Sequence, residues 1–399
     1  MDLAKPKLVQ PPALEDLADK TLPAWIYSDP EFFELEREQI FMRTWQLVCH
    51  VNDIPAVGDY HTLALFGESA VVLRDEDGNI RAFHNVCRHR AARLLDGDGG
   101  RCARRITCPY HAWSYALNGN LVGVPFKSEY PQLKEGDYGL VPIETDVFMG
   151  FIFIRFVSGG PTLSECMAPA IEEMTLYRIE SLQPLAKPVA RPSQTNWKNA
   201  CDNYIDALHV RVAHKGLDSL LGESYGMEVR SEWVHRLSGS VEELARADET
   251  VRNYRKILPD VEYLPESYRR LWLYFLVWPN LTFNLYPDQV EFLQFLPLTP
   301  TQCLIRDAAY GMPNPSREMR KARELNLQIN RQVGQEDNDL IERVQVGLHS
   351  SSFIDGILGR NEVCLRAYAA KMRTVLPVSR LDKPPPRGTV AACNQRMGS

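Results

Sequence analysis

Two short loops constrain this chain more than anything else in it. CRHR sets Cys87 two positions before His89, and CPYHAW sets Cys108 three before His111, with eighteen residues between His89 and Cys108. The first loop stands just after a predicted strand and the second just before another. Thiols and imidazoles at such spacing point to a metal, so the fold must bring two strand ends together. A structural zinc would satisfy the stoichiometry, but its ligands usually pair Cys with Cys and His with His. One Cys and one His from each loop suit a [2Fe–2S] cluster, with two thiolates on one iron and two imidazoles on the other. The competing reading is two buried thiols and two histidines satisfied by ordinary partners. Cys102 fits neither loop and is expected to be a buried free thiol. Trp113 is expected either against the cluster or in an ordinary core.

Composition narrows the setting. Of 399 residues, 45% are hydrophobic and 24% charged, which excludes disorder, collagen and coiled coil. Forty-five Lys and Arg against 51 Asp and Glu leave a net charge of −6 and no basic field for nucleic acid. Apolar runs such as Leu271–Trp278 and Val147–Ile154 are too short to span a membrane. The first residues lack the apolar stretch of a signal peptide, so a cytoplasmic location is expected. Nine cysteines in so long a chain argue against a disulfide framework.

Periodicity divides the chain into two grammars. Asp29-Pro30 predicts a helix start, with Phe32, Phe33, Leu35, Ile40, Phe41 and Trp45 as its buried stripe. From about 58 to 156 short alternating runs predict an all-β module, with hairpins at Asp77-Gly78 and Asn118-Gly119 and a buried strand over Phe148–Phe156. A helix is expected over Ala168–Ile179, followed by a connecting segment marked by Pro184, Pro188 and Pro192. Then come a helix near 196–214, strands across 225–240, aromatic-rich strands from Trp272 to Gly311 and a long helix from Ser316 to His349. The expected fold is α+β: a helical segment over 1–40 packing on the second domain, a β domain over 41–160, an α+β domain over 161–380 and an extended tail over 381–399.

A second set of metal-type residues lies in that second domain. NWKNACDNYIDALHVRVAH holds His209 and His214. On an ideal helix a spacing of five separates them by about 140°, so one ion could reach both only if the helix is distorted, for example by a π-type bulge. Asp202, Asn203, Asp206 and His209 would form a polar stripe needing partners. In GQEDNDLIERVQVGL, Asp337 shares a helix face with Leu340, Ile341, Val344 and Leu348 and should point inward, while Glu336 falls on a mixed face and Asp339 outward. An acid in register with an apolar stripe is costly without a partner, which makes Asp337 the candidate oxygen ligand of a two-His, one-carboxylate iron site. The bland alternative is a solvated face bearing two surface histidines.

The two motif sets together resemble the α subunits of the Rieske non-heme iron oxygenases, over most of the chain. That resemblance implies an N-terminal Rieske domain holding its cluster through Cys87, His89, Cys108 and His111. It implies a helix-grip catalytic domain, an antiparallel sheet wrapped around a long helix, whose iron is bound by His209, His214 and Asp337. Asp206 would bridge the two metal centres, although direct ligation by Asp206 stays open because it lies three residues before His209. Such enzymes use O2 and electrons from NAD(P)H, delivered by a separate reductase, sometimes with a ferredoxin. The chain shows no convincing G-x-G-x-x-G of its own. The family's head-to-tail homotrimer sets the cluster of one subunit against the iron of the next.

Substrate is less sharply written. Trp272, Tyr274, Phe275, Trp278, Phe283 and Tyr286 are mostly expected in the core, though some could cage a quaternary ammonium by cation–π attraction. CDNYIDALHVRVAHKGL and NLTFNLYPDQV look closest to the choline, carnitine and betaine oxygenase branch. Aromatic-ring dioxygenases and O-demethylases share the metal motifs. A Rieske electron carrier without catalytic iron, or a zinc-stabilised binding module, are the readings from other classes.

Overall fold

The computed structural model describes residues 13–134, 136–241 and 247–398, so the first twelve residues of the expected N-terminal segment lie outside the described ones. Asp29 opens α1 (Pro30–Glu36) as the sequence predicts: its carboxylate accepts the Phe32 N–H at 2.8 Å, and Pro30 fills the first position. The helix runs on in π geometry over Arg37–Phe41. Phe32, Leu35, Ile40 and Phe41 are buried, while Phe33 and Trp45 are only half-buried.

Ten strands follow: β1 (Gln46–His50), β2 (Asp59–Leu65), β3 (Glu68–Arg74), β4 (Ile80–His84), β5 (Gly99–Arg101), β6 (Arg105–Thr107), β7 (Ser114–Ala116), β8 (Leu121–Gly123), β9 (Glu144–Phe148) and β10 (Phe151–Arg155). They pair as three small sheets, β1-β10-β9, β4-β3-β2-β5 and β6-β7-β8. Both predicted hairpins form. At the second, Gly119 has φ +90°, and a Cβ there would fall 2.5 Å from the Phe83 ring, so a side chain is excluded on two counts. The single strand expected over Phe148–Phe156 is instead two, because Met149 and Gly150 both take positive φ and fold β9 back on β10. This module has its own core, including Val71, Leu73, Phe83, Ile106, Trp113 and Tyr115.

The second unit starts with α2 (Leu163–Met167) and α3 (Ile171–Leu176), so the one helix expected over Ala168–Ile179 is shorter and preceded by a break. The proline-marked connection is also partly strand: β11 (Gln183–Pro184) and β12 (Val189–Ser193) pair with the edge of a larger sheet, where a proline costs no ladder bond. Helices α4 (Trp197–Tyr204), α5 (Val210–Ala213) and α6 (Lys215–Leu221) lead to β13 (Gly226–Val229), β14 (Val234–Ser240), α7 (Glu249–Ile257) and strands β15 (Leu271–Val277), β16 (Leu281–Leu285), β17 (Val290–Thr299) and β18 (Gln302–Gly311). Eight strands make one antiparallel sheet, in the order β11-β18-β17-β16-β15-β14-β13 with β12 also on β18. Alternation along its strands divides the core. Leu273, Phe275, Phe283 and Phe292 pack with Phe151, Phe153, Met167 and Met174 on one side. Trp272, Tyr274, Tyr286 and Phe295 belong to the cluster that includes Ala322, Leu325, Ile329 and Ile341 of the 32-residue α8 (Arg317–Leu348).

The chain ends with α9 (Val363–Val375) and α10 (Val390–Gly398). The tail is therefore not extended as expected. Three prolines do break the chain, but beyond them Val390 is buried, Gly388 N–H donates to Glu31 at 2.6 Å and Val378 N–H donates to Asn394 at 3.1 Å. Residues near the N-terminus pack on this unit as well: Trp25 Nε1 donates to Leu381 O at 2.7 Å and Arg373 donates to Leu17, Lys20 and Thr21 carbonyls. Among the described residues no helix is long and apolar enough to cross a membrane.

Candidate metal centres

The helix expected over 196–214 stops at Tyr204. Asp206 helps to make the break, its Oδ1 accepting the Leu208 N–H at 2.8 Å, a local bond that competes with helix continuation. The chain then makes one turn, α5, with His209 at its N-cap and His214 at its C-cap. No π-type bulge is needed. Cap residues have left or not yet entered the regular helix, and both rings swing to one side, 5.0 Å apart at their centres. The long helix α8 passes beside them. Asp337 Oδ1 lies 2.9 Å from His214 Nε2 and 3.3 Å from His209 Nε2. One ligand atom from each of these three residues lies within 4.8 Å of the others, the spacing a single ion needs.

The outer ring nitrogens are also engaged. His209 Nδ1 is 3.2 Å from Asp206 Oδ2, and His214 Nδ1 is 2.7 Å from Glu336 Oε2. Carboxylates that accept the Nδ1 proton fix the tautomer and direct the Nε2 lone pair at a metal. With no metal charge present, burial works against a charged His209, but Asp206 and Asp337 overcome it and raise the ring to about 9. Burial likewise opposes ionisation of Asp337, yet hydrogen bonds from both rings hold it down to about 2. Three carboxylates around two imidazoles make a site that collects positive charge, and the donor set of two nitrogens and one oxygen suits Fe(II). Glu336, read from sequence as a mixed-face residue, is the one this site adds. Its only signal was adjacency to Asp337. Asp202, Asn203, Asp206 and His209 line one cavity, as the predicted polar stripe requires, and the Tyr27 hydroxyl donates to Asp202 at 2.5 Å.

The β module holds the other four residues. CRHR and CPYHAW differ in spacing but fold alike. Cys87 N–H donates to Ala92 O and Cys108 N–H to Trp113 O, both at 2.8 Å, while Ala91 and Ala112 N–H return to the carbonyls of Cys87 and Cys108. Ala91 and Ala112 both take the left-handed conformation, φ +55° and +54°. Cys87 and Cys108 are buried, the His89 and His111 rings are 4.6 Å apart, and the Nδ1 atom of each ring is buried without a hydrogen-bond partner. Two orphaned ring nitrogens beside two buried thiols fit a cluster with mixed ligation, because polar atoms are seldom buried unsatisfied. Trp113 stacks on His89, ring centres 4.8 Å apart and planes within 8°. Cys102 is buried and free, as expected. Tyr115, unremarked in the sequence, brings its hydroxyl 3.2 Å from Cys87 Sγ.

A cavity of about 700 Å³ reaches Asp206 and His209 from outside, lined largely by apolar residues including Ile341, Val344, Leu348, Phe353 and Ile357.

Residues 44–135 match the Rieske [2Fe–2S] domain family and residues 179–377 the ring hydroxylating α subunit (catalytic domain) family. The carnitine monooxygenase oxygenase subunit of Escherichia coli (strain K12) is 34% identical over 216 residues, 53% of this chain and 57% of that one, so the match spans little more than half of that relative's length. The glycine betaine monooxygenase oxygenase subunit of Chromohalobacter salexigens is 28% identical over 378 residues, 85% of this chain and 84% of that one. A quaternary ammonium Rieske monooxygenase crystallised with L-carnitine superimposes with a TM-score of 0.76 at 24% identity, covering 92% of this chain and 99% of the other.

Proposed function

Since the chain belongs to the Rieske oxygenases, joining a Rieske [2Fe–2S] domain to a ring-hydroxylating α-subunit catalytic domain, we propose that it is the terminal oxygenase component acting on a small quaternary ammonium substrate. The observation that carries this reading is the convergence of His209, His214 and Asp337 on one point, with Asp206 and Glu336 behind the two rings. When bound, the cluster and the mononuclear iron supply single electrons and a metal for O2. The chain's own part is orientation. Asp206 and Glu336 would hold the Nδ1 protons, leaving both Nε2 lone pairs, with Asp337, to hold the iron, and that iron would supply the chemistry for O2.

Electrons come from NAD(P)H through a separate reductase, with or without a ferredoxin. The two centres work between subunits of a head-to-tail homotrimer. Two surfaces support this. The cavity at Asp206 is rimmed by exposed Val344, Phe353 and Ile357. Beside the cluster loops, exposed Tyr110 lies against the His111 ring, centres 3.7 Å apart. Exposed apolar side chains beside both sites fit an interface, and Asp206, still partly exposed beside His209, would accept a hydrogen bond from the partner subunit's His111. The named carnitine and glycine betaine relatives support the substrate class.

Purified protein should be red-brown and hold about three irons per chain, two in the cluster. With a surrogate reductase, O2 uptake should depend on choline, carnitine or a betaine rather than on aromatic acids. Uptake with aromatic substrates alone would overturn the substrate class, and colour with only the two cluster irons would make the chain an electron carrier.

A further inference from the structure

The sheet face turned toward α8 carries a buried acid that nothing above employs. Glu291, on β17, stands opposite Asn284 on β16. Its carboxylate accepts from Gln289 Nε2 at 2.6 Å and lies 3.4 Å from Asn330 Nδ2 of α8. Among the described residues no Lys, Arg or His forms an ion pair with it, although it is only 8% exposed. Amides compensate a buried carboxylate incompletely. Burial, helped by the charges of Asp307 and Asp288, pushes Glu291 up to about 8.

Aromatic rings lead from this acid to the metal centre. Tyr274 is 5.9 Å from Tyr286, 6.4 Å from Tyr204 and 6.1 Å from Tyr225, centre to centre. Tyr286 receives the same Asn330 amide that faces Glu291. Tyr204 donates its hydroxyl to Asn284 at 2.6 Å and ends the helix just before the His209 turn, and Tyr225 lies in the field of Asp337 and Asp206. A quaternary ammonium has no N–H to donate, so ring faces and an uncompensated negative charge are what can recognise it. Spacing agrees. Asn330 and Asp337 are seven residues apart on α8, about 10 Å along its axis and on one face, so acid and metal site share one stretch of that helix.

Building on the quaternary ammonium reading, we propose that Glu291 is the counter-charge of the substrate's cationic head and the residue that selects cations over neutral molecules of the same shape. Facing it are Tyr204 from α4, Tyr274 from β15, Tyr286 after β16, Asp288 from the following turn and Asp307 from β18, while α8 presents the amides of Asn326 and Asn330. In the empty site near neutral pH the carboxyl holds its proton, and a bound cation releases it.

The test is calorimetry on anaerobic holoenzyme with two matched pairs, choline against 3,3-dimethylbutan-1-ol and glycine betaine against 3,3-dimethylbutanoate. Each ammonium compound carries one positive charge more than its tert-butyl isostere, and wild type should bind the ammonium member of at least one pair about tenfold more tightly. In Glu291→Gln that preference should fall below about threefold, with iron and cluster content unchanged. A variant that discriminates as wild type does overturns the role of Glu291 and leaves the substrate class standing. Wild type without any preference for the cations overturns both. Should the variant not fold, wild type decides: heats in buffers of different ionisation enthalpy should show proton release with the cation and none with the isostere, and release with neither overturns the proposal.

Discussion

Tyr115 shows how much a single hydroxyl can be made to do. It accepts the Arg88 N–H at 2.9 Å, which leaves its own proton directed at Cys87 Sγ, 3.2 Å away. Hydrogen bonds to cluster sulfur raise the reduction potential. Replacing Tyr115 by Phe removes one such bond, about 1 kcal/mol, or about 40 mV for a one-electron couple. Protein-film voltammetry of Tyr115→Phe should therefore give a midpoint lower by that amount with the cluster retained, and an unchanged midpoint would mean that the hydroxyl does not reach the sulfur. Nothing in the sequence singled Tyr115 out, because two positions after Trp113 it reads as an inward strand residue. Glu336 escaped for a similar reason. A helix wheel sorts side chains by face, and a long carboxylate can reach around to the far nitrogen of a ring already held by its neighbour Asp337.

Elements turn spacing into geometry. His209 and His214 converge because the helix is interrupted before them, and α4, which leads into the interruption, is anchored at its other end. Its first turn carries Lys198, fully buried and 2.6 Å from the equally buried Glu36 of α1, which also accepts from Trp197 Nε1 at 3.1 Å. The ammonium lies 5.1–5.5 Å from the Tyr27, Trp197 and Phe32 ring centres. Glu36→Ala would strand a buried cation, and a loss of about 3–5 kcal/mol is expected in urea unfolding. The double change Glu36→Leu with Lys198→Met should recover most of it. A loss under about 1 kcal/mol in the single variant would show that Lys198 is neutral in the folded state, consistent with the direction in which burial pushes it. The two cluster loops make the complementary point. Their spacings differ by one residue, yet left-handed alanines and matched carbonyl bonds give them a common shape.

At the scale of the molecule, the two metal sites lie in separate units of one chain, and the proposed trimer joins them across subunits through Asp206. Asp206→Asn keeps the shape of the side chain and removes its charge. The variant should retain cluster and iron, sediment as a trimer and lose turnover by at least about a hundredfold, because the hydrogen-bonded route to His209 is broken. Stopped-flow oxidation of the reduced cluster by O2 with substrate present checks this directly. Near wild-type oxidation would remove Asp206 from the route.

Local chemistry was readable in advance. The Cys and His spacing, the hairpin glycines, the Asp29 cap and the inward register of Asp337 each depend on a few neighbouring residues, and those are written in order along the chain. What the linear order could not contain was contact between distant segments. The meeting of His209 and His214 with Asp337, the carboxylate of Glu336 behind the second ring, the docking of the helix beyond the tail prolines and the ring contacts around Glu291 all arise from packing of elements far apart in sequence. There burial and partner geometry override the preferences of any single stretch.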